Sequence, residues 1–134
     1  MPIFLGMSRT VLVVDDDLDL RVALEEVLTD AGYHAVLAQS AEHALQLLDT
    51  VSRPCLVLLD YAMPGAGAEG FLSAIQERAD AESFSVVLMT GMPRVALPSD
   101  TRIAGQLSKP FEMDDLLLVL ESHCGGDRPS SAAS

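Results

Sequence analysis

The stretch Pro54-Cys55-Leu56-Val57-Leu58-Leu59-Asp60, followed by Tyr61-Ala62-Met63-Pro64-Gly65, decides how the chain is read. A proline opens it, five apolar residues run without a polar break, and an acid ends it. An unbroken apolar run of this kind fits a strand buried on both faces, as in the middle of a parallel sheet. Met63-Pro64-Gly65 stops the strand, because proline has no N–H for the ladder and glycine frees the turn. Asp60 is thereby placed at the carboxyl end of a central strand, the edge where open α/β sheets bind ligands.

Working outward, the flanking segments repeat the order strand, then helix. Residues 10–14, Thr-Val-Leu-Val-Val, run straight into Asp15-Asp16-Asp17, acids that make a poor continuing strand. From Leu18 the period turns helical, with Leu20, Leu24, Val27 and Ala31 as the expected buried stripe, Leu28 beside them and Gly32 as the stop. Asp17 is placed to cap this helix, and Asp19 to face the positive end of its dipole. Capping accounts for one acid of the cluster, hardly for three. Residues 33–38 read as a second strand, and Ser40 caps a helix whose expected stripe is Ala41, Ala44, Leu45 and Leu48.

After the central strand, a helix is expected over 68–79 with Phe71, Leu72 and Ile75 inward. Residues 85–89 form a fourth strand closed by Thr90-Gly91. Pro93 and Pro98 bracket only four residues, so a fourth helix there is expected to be short or irregular. Residues 103–108 make a short fifth strand ending in Lys109-Pro110. A last helix over 112–124 turns Leu116, Leu117, Val119 and Leu120 to the sheet, with Glu112, Asp114 and Asp115 in the first turn, where the dipole favours acids. The expectation is an α/β fold: a doubly wound, five-stranded parallel sheet in the flavodoxin-like order 2-1-3-4-5. In that order Asp15 and Asp16 lie next to Asp60, Thr90 flanks it on the other side, and Lys109 ends the strand beyond.

Composition narrows the function. A chain of 134 residues that is 49% hydrophobic reads as one packed domain. With 20 acids against 8 bases its net charge is −12, which argues against direct binding of nucleic acid or an anionic membrane. Cys55 and Cys124 show no metal or redox spacing, and His34, His43 and His123 share none, so these read as packing and surface residues. Met89 and Met92 likewise read as packing. A reducing, cytoplasmic location is expected. No apolar run approaches the length needed to span a bilayer, and residues 1–6 are too short for a signal peptide, with Met7 an equally good start.

Three carboxylates brought together repel, and one takes up a proton unless a cation intervenes. Oxygen-only ligands, carboxylates with a backbone carbonyl, suit Mg²⁺. Beside such an ion an aspartate oxygen is a plausible nucleophile toward phosphorus, forming an acyl phosphate. An ammonium and a hydroxyl are the groups that hold the added phosphoryl oxygens, and Gly91 leaves room for the donor.

The combination Asp15-Asp16, Asp60-x-x-Met63-Pro64-Gly65, Thr90-Gly91 and Lys109-Pro110-Phe111 resembles the receiver domain of two-component response regulators. Each motif is weak alone; the four together, each after its own strand, are specific. The resemblance covers residues 9–123, and a receiver domain is delimited at 9–124, with an extension at 1–8 and a flexible tail or truncated linker at 125–134. It implies Asp60 as phosphoacceptor and Asp15 and Asp16 as the metal-binding pair, with Asp60 and the Ala62 carbonyl completing the ligands. Thr90 becomes the switch hydroxyl and Lys109 the phosphate-pairing amine. The implied cofactor is Mg²⁺ or Mn²⁺, and the implied partner a histidine kinase or histidine phosphotransfer protein. Such a domain catalyses its own phosphorylation and dephosphorylation without being a conventional turnover enzyme.

Three departures bear on output. Ala68 replaces a usual glycine, Gln106 stands where the family places Tyr or Phe, and the Thr90-to-Lys109 interval is short by about a helical turn and carries two prolines. The response to phosphorylation is therefore expected in the 92–102 segment, with Gln106 staying outward and no symmetric dimer through that face. The alternatives are a phosphorylation-independent receiver-like adaptor or a receiver excised from a hybrid kinase; no output module is expected after the last helix. A metal-dependent phosphatase would place its nucleophile after strand one, and a flavin module would need a neutral phosphate loop where Asp15-Asp16-Asp17 stands.

Overall fold

In the computed structural model, residues 10–52, 54–62, 67–91, 103–109 and 111–123 are described. Their elements follow in the order β1 (Thr10–Val14), α1 (Leu18–Asp30), β2 (His34–Ala38), α2 (Ala41–Leu47), β3 (Cys55–Asp60), α3 (Gly67–Gln76), β4 (Phe84–Thr90), β5 (Gly105–Ser108) and α4 (Met113–His123). A single 3₁₀ turn at Ala81–Ser83 leads into β4. All neighbouring strands are parallel, in the order β2-β1-β3-β4-β5.

The pleat divides the strand side chains between two cores. Leu12, Val14, Val57, Leu59, Val86 and Leu88 meet Ala44 and Leu48 at α2 and Phe71, Leu72 and Ile75 of α3. Val11, Val13, Leu56, Leu58, Val87 and Met89 meet Leu24 and Leu28 of α1 and Leu116 and Leu120 of α4. Every residue of β1 and β3 is buried, which is why both read as unbroken apolar runs rather than alternating ones. Each buried Leu or Val contributes about 1.5–3 kcal/mol relative to exposure, so these two faces dominate the stability.

The helix ends show where local chemistry overrides the periodic pattern. Asp17 caps α1 as expected, its side chain accepting from the N–H groups of Asp19 and Leu20. At the other end Gly32 adopts φ +95°, and the N–H groups of Gly32 and Tyr33 donate to the carbonyls of Thr29 and Leu28. This closing motif ends α1 at Asp30. Ala31, expected in the buried stripe, is therefore the exposed C-cap, and Tyr33 precedes β2 instead of joining it. Leu45 was also expected inward but lies 36% exposed, while Leu47 packs on the core; the short helix α2 turns only the Ala44–Leu47–Leu48 side to the sheet. Helix α3 stops at Gln76, short of the expected 79, where Arg78 bonds back to the Ile75 carbonyl. The regular ladder of β5 begins at Gly105 rather than at 103.

Several expectations fall outside the described residues: the extension at 1–8, the Met63-Pro64-Gly65 stop, the short or irregular helix between Pro93 and Pro98, Pro110, Cys124 and the tail at 125–134.

Candidate functional site

The strand register assembles one cluster at the carboxyl edge of the sheet. Val14 pairs with Leu59, so one further step sets Asp15 level with Asp60. Asp60 pairs with Met89, which leaves Thr90 one residue ahead on the adjoining strand. Thr90 in turn pairs with Ser108, and Lys109 comes next. The ladder extends to the edge, where the Tyr61 N–H donates to the Met89 carbonyl at 2.9 Å and the Lys109 N–H to the Thr90 carbonyl at 2.6 Å.

Asp15 is fully buried, Asp60 and Thr90 nearly so, and Asp16 is exposed. One carboxylate oxygen from each of Asp15, Asp16 and Asp60 lies within 4.8 Å of the others, and among the described residues no other group of three His, Cys, Asp or Glu converges in this way. Asp15 is held firmly: its Oδ1 accepts from the Asp17 N–H at 2.9 Å and its Oδ2 from Lys109 Nζ at 3.0 Å. Asp60 accepts from the Ala62 N–H at 3.0 Å through Oδ1, and Lys109 Nζ stands 3.6 Å from the same oxygen. The lysine thus sits closer to Asp15 than to Asp60.

Burial chiefly, with the charges of Asp15 and Asp16 adding to it, raises the Asp60 pKa above the ordinary 3.8; the Ala62 N–H and Lys109 pull against this. Burial alone would lower the Lys109 pKa, but the hydrogen bond and charge of Asp15, together with Asp60, outweigh it and raise the net value. One ammonium against three carboxylates leaves the cluster two charges short of neutral. An oxygen-only donor set with that residual charge, half open to solvent through Asp16, fits a hard divalent cation such as Mg²⁺.

Gln106 is exposed and lies beside Leu88 in the register, not within the cluster. Ala62, expected as a carbonyl ligand, is at the site's rim and contributes its N–H to Asp60. Arg21 was missed by the sequence reading: its Nη1 donates to the Asp15 carbonyl at 2.8 Å. A basic residue one turn into a helix, where the dipole disfavours it, was the available signal.

A doubly wound parallel sheet carrying a largely buried acid cluster and a lysine at its carboxyl edge has the fold and acidic pocket of a signalling receiver domain. Residues 11–121 match the response regulator receiver domain, and the chain belongs to that family. It is 31% identical over 113 residues to sporulation initiation phosphotransferase F of Bacillus subtilis, covering 82% of this chain and 89% of that protein. It is 33% identical to the transcriptional regulatory protein FixJ of Bradyrhizobium diazoefficiens over 84% of this chain, and 35% identical to the response regulator protein FleR of Pseudomonas aeruginosa over 93%. The chain spans only 55% and 26% of those two proteins. Among solved structures, a CheY-like receiver domain protein from Methanospirillum hungatei superposes with TM-score 0.77 at 28% identity, covering 87% of this chain and 94% of that one. The response regulator TrrA of Thermotoga maritima, solved with Mg²⁺ and BeF, gives TM-score 0.72 at 28% identity over 84% and 96% of the two chains. No helix among the described residues is long and apolar enough to cross a membrane.

Proposed function

We propose that Asp60 accepts a phosphoryl group from a histidine kinase or histidine phosphotransfer protein in a Mg²⁺-dependent phosphorelay. The observation that carries this reading is the buried Asp60 carboxylate, set between the acid pair and the Lys109 ammonium. A carboxylate oxygen of Asp60 attacks phosphorus, the phosphorus–nitrogen bond of the donor histidine breaks, and its electron pair returns to the imidazole. Attack needs the ionised carboxylate, which burial disfavours. Mg²⁺ or Mn²⁺, held by Asp15, Asp16, Asp60 and the Ala62 carbonyl, would supply positive charge to the ionised acid and to the phosphoryl oxygens. Lys109 then exchanges part of its bond to Asp15 for a phosphoryl oxygen, and the Thr90 hydroxyl takes another. Water attack at phosphorus breaks the bond to the Asp60 oxygen, restoring the carboxylate and releasing inorganic phosphate.

A protein donor has a surface to meet. Leu18 and Val22, 60% and 46% exposed, lie one turn apart on α1 just past the Asp17 cap, and a separate cleft of about 360 Å³ is lined by Asp17, Leu20, Lys109, Phe111 and Met113. A net charge of −12 disfavours nucleic acid as a partner, and the domain acts through protein contacts from a cytoplasmic location.

The output differs from the usual one. Turning the Gln106 amide into the interior without partners would cost about 1–3 kcal/mol, comparable to the energies that bias such switches. Gln106 therefore stays outward when Thr90 moves toward the phosphoryl group, and the response concentrates in residues 92–102 without a symmetric dimer through that face. Amide NMR with Mg²⁺ and beryllofluoride tests the reading. The expected result is shifts at Asp60, Thr90, Lys109 and 92–102 that require the metal and are absent in Asp60→Asn. Shifts confined elsewhere, or burial of Gln106, would contradict it.

A further inference from the structure

The three acids of the cluster are held very unequally. Asp15 is fixed at both carboxylate oxygens, and its own N–H donates to the Ala38 carbonyl at 3.2 Å. Asp60 is fixed by the Ala62 N–H and by Lys109. The exposed Asp16 side chain has no hydrogen bond or ion pair among the described residues. Its oxygen still lies within 4.8 Å of the other two, so its backbone must set its position.

That backbone is pinned on both sides. The peptide before Asp16 carries the Asp15 carbonyl, which accepts from Arg21 Nη1 at 2.8 Å. The peptide after it carries the Asp17 N–H, which donates to Asp15 Oδ1 at 2.9 Å. Arg21 is half-buried, and its own N–H is committed to the Asp17 carbonyl at 3.0 Å in the first turn of α1. The Arg21 backbone is thus part of the helix, and its guanidinium reaches back to hold the loop.

We propose that Arg21 is a positioning residue for the cation site: by holding the Asp15 carbonyl it fixes the peptide that aims Asp16. This inference rests on the reading of Asp15, Asp16 and Asp60 as a Mg²⁺ site. It has a sign that bare electrostatics lacks. A nearby positive charge repels a cation, so removing it should tighten Mg²⁺ binding, by about fivefold at most for a partly solvated charge. Losing a group that orients a ligand weakens metal affinity, by about tenfold or more. The two effects oppose each other, and the positioning effect is the larger.

The test is Mg²⁺ binding by calorimetry, with melting temperatures in EDTA, for wild type, Arg21→Met, Asp16→Asn and the double variant. The expected result is that Arg21→Met weakens Mg²⁺ binding about tenfold in the wild-type background and less than twofold in the Asp16→Asn background. Its effect on the metal-free melting temperature should be the same in both backgrounds. Should Arg21→Met not fold, Arg21→Lys is read in its place, with weakening of about threefold that again vanishes with Asp16→Asn. Unchanged or tighter binding, or equal weakening in both backgrounds, overturns the positioning role alone. Absence of Mg²⁺ binding to wild type overturns the site reading and this inference with it.

Discussion

Two ends of the same sheet carry charge clusters, and they are built to opposite rules. At the amino edge, Arg78 pairs with Asp49 and with Asp80 at 2.7 Å each, and lies over the Phe84 ring at 5.5 Å. The Asp49 side chain is 79% exposed, and the cluster ties the end of α2 to the turn after α3 in solvent. At the carboxyl edge, Asp15 and Asp60 are buried, a third acid joins them, and a single lysine faces the two buried ones. The first cluster comes close to balance where water already screens it. The second is left unbalanced where screening is weakest. Stability alone does not favour the second arrangement, because buried like charges raise the free energy of the folded state. A cluster left short of cations is one that a cation would complete, and this difference sets the proposed phosphorylation site apart from the amino edge.

The largest effect expected from this contrast is metal stabilisation. At Mg²⁺ concentrations 100 times the dissociation constant, binding to the native state alone adds about 2.7 kcal/mol. Thermal melts with EDTA and with millimolar Mg²⁺ should show this shift in wild type and lose it in Asp16→Ala. A shift of equal size in Asp16→Ala would remove the carboxyl edge as its source.

A smaller effect concerns pH. The Asp60 pKa is raised in the folded protein, chiefly by burial, so folding favours its protonated form. That contribution is fully present below 3.8 and is lost as pH rises through the raised value. Metal-free wild type should therefore lose stability relative to Asp60→Asn as pH rises across that interval, and Mg²⁺ should narrow the gap. Paired denaturant titrations in EDTA across the acid range check this; a wild type that gains on the variant with rising pH would reverse the assignment.

The smallest effect belongs to the amino edge. Arg78→Ala should cost about 1 kcal/mol, since its ion pairs are partly solvated, and leave Mg²⁺ affinity unchanged. Urea unfolding and a Mg²⁺ titration of that variant are sufficient. Altered metal binding would mean that the two edges are coupled.

Much of this was legible in the chain. The run from Cys55 to Leu59 is apolar throughout because β3 is buried on both faces, and that same fact placed Asp60 at the edge. Asp15, Thr90 and Lys109 were legible because each ends its own strand, where side-chain type is released from packing. Leu45 and Ala31 misled because periodicity does not register how few turns α2 has or where Gly32 halts α1. The preference of Lys109 for Asp15, and the hold of Arg21 on the Asp15 carbonyl, depend on tenths of an ångström between residues distant in the sequence or on opposite sides of a loop. No spacing rule encodes such distances.

The most direct test of the central claim is intact-mass and peptide-level mass spectrometry after incubation with a small acyl phosphate and Mg²⁺. A single phosphoryl addition is expected at Asp60, abolished by EDTA and by Asp60→Asn. A phosphoryl group retained by Asp60→Asn, or one mapped to another residue, would contradict the account.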